Sequence, residues 1–310
     1  RMIGYESITP VSPLSPAVIP PREETRDYLQ NIRLLASAQG FHEVYNYSFL
    51  SDEIAQQFRL DTSGMIRVLN PIASDQALMR NTLVPGLWKN IIENSKYSDG
   101  FQLFELGREI HKRPEGLPLE RTHLAAVVYR KEGNAEGLFE LKALAEGLAP
   151  GIDFRPVQGA HHEHPWRTAS AIIAGENVGR LFEFHPDFVR GRASLLDLDL
   201  ESLMRLARRT TRYTPVRRFP SSAFDLSVLA PLRAHVGDIQ SEMRSLAGDA
   251  LESIEFVREY AGPPLPHHLK SLSYRLTFAA SNRTLSSEEV GAARALIIDG
   301  MRERGYDLRV

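Results

Sequence analysis

From Arg218 onward the apolar periodicity alternates between two and 3.6 residues in one fixed order, and that order leaves few folds open. Residues 224–229, 251–260 and 272–278 alternate as strands do. Residues 236–247 and 286–304 repeat apolar side chains at helical spacing, and 306–310 adds a last short strand. Strand, helix, strand, strand, helix, strand over about 100 residues is the split βαββαβ motif. It predicts one antiparallel sheet with two helices on one face and the other face open. Within 272–278, Tyr274, Leu276 and Phe278 then point toward the helices, and Ser273, Arg275 and Thr277 toward the open side.

The residues before Arg218 follow another pattern. Pro10, Pro13, Pro16, Pro20 and Pro21 punctuate residues 1–21, which favours an extended, semi-rigid connector. Residues 23–39 place Tyr28, Ile32, Leu35 and Ala36 on one helical stripe that Gly40 ends. An aromatic-rich strand is expected over 41–50 and a short helix over 51–58, opened by Ser51. Residues 69–88 read as a strand end, a turn at Asn70-Pro71 and a polar loop through Ser74-Asp75. A helix follows, capped by Asn81 or Thr82, with Pro85 in its first turn and Leu83, Leu87 and Ile91 on one face. Strands are expected at 101–112, 122–129, 169–174, 178–184 and 195–200, and helices at 137–148 and 201–210. Gly175-Glu176-Asn177 supplies a hairpin turn, and His164-Pro165 an irregular turn. A long helix feeding antiparallel strands with helices interposed is an α+β arrangement. Neither βαβ alternation nor a Gly-rich dinucleotide turn occurs. Arg205, Arg208, Arg209, Arg212, Arg217 and Arg218 load the joint between the two patterns. The expected organisation is a Pro-rich connector at 1–21, a first domain at 22–205, an Arg-rich linker at 206–217 and the split-motif domain at 218–310.

Composition narrows function mainly by exclusion. A chain of 310 residues, 43% hydrophobic and 25% charged, has ample core for two domains. With a net charge of −2, no global basic field advertises nucleic-acid binding, so any such contact must be local. The absence of cysteine excludes disulfides, thiolate chemistry and Cys-ligated zinc, and fits a reducing compartment. Neither a charged-then-apolar leader nor an apolar run of about 18 residues stands in the sequence, so a cytoplasmic protein without membrane spans is expected. The opening on Arg1, inside what reads as a motif, suggests a piece of a longer protein.

Several stretches stand in an order that carries more information than any one of them. They begin with Arg1-Met2-Ile3-Gly4-Tyr5, then Gly40-Phe41 with Glu43-Val44 and Tyr47-Ser48-Phe49. Leu69-Asn70-Pro71 with Ser74-Asp75 leads to Met79-Arg80, Leu83 and Pro85-Gly86-Leu87. Leu103-Phe104-Glu105-Leu106-Gly107-Arg108, His164-Pro165 with Ala169, Gly175, Gly179 and His185-Pro186 continue the series. Arg218-Phe219-Pro220, Asp225-Leu226, Lys270-Ser271-Leu272, Tyr274-Arg275-Leu276, Arg283-Thr284-Leu285 and Glu288-Glu289-Val290 complete it. Across essentially its whole length the chain resembles the C-terminal part of bacterial phenylalanyl-tRNA synthetase beta subunits. That resemblance implies a degenerate class II synthetase-like antiparallel sheet domain followed by a ferredoxin-fold anticodon-binding domain. It also implies a heterotetramer of two alpha and two beta chains that charges tRNA(Phe), with the aminoacylation site on alpha and with ATP and Mg2+ used by the complete enzyme. An editing domain, an N-terminal tRNA-binding domain and a magnesium-linked acidic cluster would lie upstream of residue 1.

Adenylate formation needs positive charge against the phosphates. Within the resemblance, the strand that would carry a phosphate-facing arginine is 101–110, where Phe104-Glu105 stands instead. The hairpin around Gly175 and Gly179 leads to His185-Pro186, not to a helix opening with arginine. The expectation is a non-catalytic chain that holds no cofactor of its own, scaffolds the alpha subunit and contacts tRNA. Candidate tRNA-binding residues are Arg217, Arg218, Lys270, Arg275 and Arg283. Candidate subunit-interface residues are Tyr28, Ile32, Leu83, Leu87 and Ile91. Two other readings stay open: a free-standing RNA-binding or regulatory paralogue, and a metal site at His161, His162, Glu163 and His164, whose spacing matches neither HExxH nor a finger.

Overall fold

A computed structural model describes residues 2–71, 73, 76–133, 136–206 and 218–309, and the chain forms two compact units, Arg1–Thr210 and Thr211–Val310. In the first unit, helix α1 (Glu24–Ala38) leads to strand β1 (His42–Glu43), then β2 (Phe49–Leu50) and helix α2 (Asp52–Gln57). Strand β3 (Leu78–Met79), helix α3 (Val84–Asn94), and the long strands β4 (Gly100–His111) and β5 (Leu119–Arg130) follow. Helix α4 (Glu136–Leu148), strands β6 (Asp153–Pro156), β7 (Glu163–Ile173), β8 (Glu176–Phe184) and β9 (Arg192–Asp199), and helix α5 (Leu200–Leu206) complete it.

Seven strands form one sheet in the order β1-β4-β5-β9-β8-β7-β6, antiparallel throughout except for the parallel pair β1 and β4. Strand alternation divides its side chains between two faces. The first face buries Phe104, Leu124, Leu196 and Leu198 against Ile32 of α1, Leu141 and Leu144 of α4, and Leu203 of α5. On the second face α3 covers one half only. Its Leu83, Leu87 and Ile91 pack on Leu103, Val127, Tyr129 and Leu195, with Phe182, Phe184 and Phe188 beside them. The other half of that face is polar.

Local chemistry accounts for most element ends. Ser51 accepts a hydrogen bond from the Ile54 amide and caps α2, as its position predicts. Thr82 Oγ1 accepts from the Val84 amide at the start of α3, and Pro85 stands in the first turn. The expected strand 41–50 is instead two short pieces. After β1 the chain leaves the sheet edge, because the amide and side chain of Asn46 bond to Glu105 rather than to a strand neighbour, and Tyr45 and Tyr47 point to solvent. Strand β7 begins at Glu163, before the expected turn at His164-Pro165. Its register shifts between Glu163 and Thr168, which accommodates a proline that cannot donate to the ladder. Strand β6 was not foreseen from the sequence. The Ser74-Asp75 loop lies outside the described residues, as do residues 207–217, which hold Arg208, Arg209, Arg212 and Arg217 of the expected joint.

The second unit comprises β10 (Ser222–Pro231), α6 (Val236–Ala247), β11 (Leu251–Tyr260), β12 (Leu269–Phe278), α7 (Ser287–Glu303) and β13 (Asp307–Arg309). The strand order β11-β12-β10-β13, antiparallel throughout, is the arrangement the split motif predicts. Leu226, Val228, Leu272, Tyr274, Leu276 and Phe278 face Ile239 and Met243 of α6 and Ile297 and Met301 of α7. A capping box between Ser286 and Glu289 starts α7.

One glycine fixes how closely two strands approach. A Cβ at Gly179 in β8 would collide with the Asp197 backbone carbonyl on β9. Gly179→Ala should therefore force the strands apart and lower stability by about 1–3 kcal/mol in urea unfolding, the range for overpacked sites.

Candidate functional site

The polar half of the second sheet face gathers the buried charge of the first unit. Strand register brings Glu105, Gly107 and Glu109 of β4 beside Ala125, His123 and Arg121 of β5, with Asp197 and Asp199 on β9 and Arg180 on β8. The charges sort into local networks.

The first network joins the β3–α3 connection to the sheet. Arg80 Nη1 donates to Glu105 Oε1 at 2.7 Å, and both side chains are more than nine-tenths buried. Arg80 Nε donates to the Arg108 carbonyl at 3.1 Å, and Asn46 Nδ2 donates to Glu105 Oε2 at 2.8 Å. The backbone joins in: the Arg80 amide donates to Ser48, and the Ile110 amide donates to the Arg80 carbonyl. Gly107 makes room for the guanidinium, since a Cβ there would lie 2.5 Å from Arg80 Nη2 and 2.8 Å from a Leu83 methyl.

The second network crosses three strands. His123 Nδ1 lies 2.8 Å from Asp197 Oδ1, and its Nε2 lies 3.3 Å from Glu109 Oε2. His111 Nε2 stands 3.3 Å from the same Glu109 oxygen. Burial, reinforced by the Asp197 charge, pushes the Glu109 carboxyl up to about 8. Burial opposes protonation of His123, but the Asp197 hydrogen bond and the surrounding carboxylates together raise its pKa. Asp199 accepts from the Glu201 and Ser202 amides and from the Ser202 hydroxyl, so it starts α5 and is held low despite its burial.

At the far edge, Glu163 takes two hydrogen bonds from Arg180, at 2.9 and 2.5 Å, and one from the Ala160 amide. Glu183 is gripped by Arg167 and Arg192. Glu105 and Glu163 thus hold the guanidinium groups of Arg80 and Arg180, and Arg121 lies 3.8 Å from Asp199. Glu109, Asp197 and Asp199 leave the middle of this face acidic.

The histidine loop does not converge on a common point. His162 is buried among Phe58, Phe182, Phe184 and Phe188 and burial lowers its pKa, whereas His164 contacts Arg167. Among the described residues, the grouping whose ligand atoms all lie within 4.8 Å of one another is Glu109, His123 and Asp197. Sequence spacing gave no sign of it, because its members meet through strand register, His123 and Asp197 across 74 positions.

The expected interface residues are mostly interior. Ile32, Leu83, Leu87 and Ile91 are enclosed by this chain's own sheet, because an apolar stripe fits a core as well as a partner. Tyr28 is half-buried, and burial pushes its phenol up to about 12. The exposed apolar residues near α1 and β1 are Leu34, Tyr45 and Tyr47.

The expected tRNA-binding residues separate in a similar way. Arg275 lies on the open face of the second sheet and forms a two-pronged pair with Asp225, at 2.8 and 2.9 Å. Arg218 is exposed, and Arg283 pairs with the α7 capping residue Glu289. Arg217 lies outside the described residues. Lys270 corrects the expectation. It shares strand parity with Leu272 and Tyr274, so it is buried on the helix side, 3.1 Å from Glu259. The open face also presents Glu255, Arg258 and Tyr260, whose register partners are Arg275, Ser273 and Ser271.

Such an α+β pair, a large antiparallel sheet domain and a ferredoxin-type unit, defines a class of chain that sequence comparison makes specific. Residues 8–195 match the profile of the phenylalanyl tRNA synthetase beta chain CLM domain, and residues 217–309 match that of the ferredoxin-fold anticodon binding domain. The chain is 53% identical to a phenylalanine–tRNA ligase beta subunit from Solibacter usitatus (strain Ellin6076), over all of this chain and 41% of that protein. It is 30% identical to one from Synechococcus sp. (strain JA-2-3B'a(2-13)), over 94% of this chain and 38% of that protein. It is 29% identical to one from Moorella thermoacetica, over all of this chain and 41% of that protein. The chain belongs to the phenylalanyl-tRNA synthetase beta chain family, and it spans about two fifths of the length of these curated relatives.

The Arg80–Glu105 pair gives a direct test of the site's architecture. Arg80→Met strands a buried carboxylate and should cost about 3–5 kcal/mol of stability. Adding Glu105→Gln should recover a large part of that loss, and a double-mutant cycle in urea unfolding measures the coupling.

Proposed function

We propose that this chain is the synthetase-like core and anticodon-domain portion of a phenylalanine–tRNA ligase beta subunit, a non-catalytic scaffold for the alpha subunit and a tRNA contact. The single observation that carries the reading is the relationship at 53% identity over the whole chain. The seven-stranded antiparallel sheet with one parallel edge strand is read as a degenerate class II synthetase fold. In that reading the polar half of its second face stands where adenylate chemistry would occur.

The residues there do not suit ATP. Polyphosphate needs unpaired cations, whereas Arg80 and Arg180 are bound to Glu105 and Glu163 and the middle of the face carries Glu109, Asp197 and Asp199. On this reading the chain holds no nucleotide itself. ATP and Mg2+ belong to the complete enzyme, a heterotetramer of two alpha and two beta chains in the cytoplasm. Among the described residues no helix is long and apolar enough to cross a membrane.

Because the stripes of α1 and α3 are committed to the core, the alpha-facing surface is assigned to Leu34, Tyr45 and Tyr47, with Tyr28 at its margin. Exposed tyrosines offer large contact area at low entropic cost and are enriched at interface hot spots. The tRNA contact is assigned to the open sheet of the second unit, where Arg258, Arg275 and the Tyr260 ring offer charge and a stacking surface to unstacked bases. Arg218 and Arg283 flank it in this reading. Asp225 and Glu255 balance these cations, so binding there rests on local fit rather than on a basic field.

Sedimentation of the chain mixed with its alpha subunit tests the proposal. A complex is expected, and Tyr45→Ser with Tyr47→Ser should weaken it about tenfold or more while leaving circular dichroism unchanged. Separate sedimentation of the two wild-type chains would overturn the reading.

A further inference from the structure

We propose that Glu109, His123 and Asp197, with His111 at the margin, form a site for a divalent transition cation that ties β4, β5 and β9 together. His123 shares its Nδ1 proton with Asp197 at 2.8 Å, which fixes the ring and leaves Nε2 as a lone-pair donor. Nε2 lies 3.3 Å from Glu109 Oε2. His111 Nε2 lies 3.3 Å from the same oxygen, is itself buried, and has no hydrogen-bond partner. Two imidazole nitrogens thus flank one buried carboxylate oxygen off the hydrogen-bond line, as ligands of one shared ion do. Two donors held about 2.1 Å from a tetrahedral ion stand roughly 3.4 Å apart. The Asp197–His123 contact is the carboxylate–imidazole arrangement that orients metal-bound histidines.

Charge points the same way. Glu109 is 5% exposed, and it shares this pocket with Asp197 and Asp199. The neighbouring Arg121 lies 3.8 Å from Asp199, and Arg180 is held by Glu163. The pocket therefore holds more carboxylate than guanidinium, in a setting where unpaired charge is expensive. Imidazole among carboxylates suits zinc-like borderline ions better than Mg2+, which favours all-oxygen, water-rich shells. The histidines at 161–164, which advertise metal binding in the sequence, lack this convergence. The inference does not depend on the function proposed above.

The test uses the chain stripped with chelator and then dialysed separately against Zn2+, Co2+ and Mg2+. The expected result is one Zn2+ or Co2+ per chain by elemental analysis, with a visible cobalt absorption band and a raised Tm. Mg2+ should do none of these. Glu109→Gln and His111→Ala should each weaken Co2+ binding at least tenfold with the fold unchanged by circular dichroism. His111 sits at a partly exposed strand end, so its variant decides the matter even if Glu109→Gln fails to fold. Failure of the wild type to retain Zn2+ or Co2+, or wild-type affinity in either folded variant, would overturn the proposal.

Discussion

The first unit depends on a buried ion pair. Arg80 and Glu105 come from segments 25 residues apart, and between them they anchor the Asn46 loop, the entry into α3 and the middle of β4. A pair like this contributes little net stability once both charges are desolvated, yet losing one partner leaves a buried charge with nowhere to go. It therefore acts as a constraint on geometry. With Arg80 in place, Leu83 and Leu87 can only descend onto Leu103 and Val127, and Gly107 becomes obligatory beneath the guanidinium.

Much of this was legible in the sequence because periodicity reports directly on burial. The βαββαβ unit follows from alternation and helical spacing, down to the inward Tyr274-Leu276-Phe278 and outward Arg275. Lys270 shares the parity of Leu272 and lies on the covered side, which its reading as a tRNA-binding candidate overlooked. The destination of an apolar stripe was less legible. Leu83, Leu87 and Ile91 announce a buried face, but only the fold reveals that the chain's own sheet buries it. Least legible were the charge networks. Glu109, His123 and Asp197 sit on three separate strands, and their meeting depends on the register of β4 with β5 and of β5 with β9. The aromatic surrounding of His162 likewise arises from tertiary packing of Phe58, Phe182 and Phe188, which no local spacing encodes.

Together these features describe a sheet whose polar half has been turned inward on itself. A catalytic face must keep cations free for a substrate, and preorganisation of that kind leaves charge waiting. Here Arg80 and Arg180 are bound to carboxylates of the same chain. Such a surface is well suited to holding shape and poorly suited to holding phosphate. The same pairing appears in the second unit, where Arg275 rests on Asp225 and Arg283 on Glu289.

In the proposed reading, pairing of Arg80 and Arg180 within the chain leaves this face without the free cations that adenylate formation needs. Phenylalanine-dependent exchange of pyrophosphate into ATP measures adenylate formation directly. No exchange above background is expected from the chain alone, and full exchange once the alpha subunit is added. Exchange by the isolated chain, lost on neutralising Arg80 or Arg180, would contradict that reading.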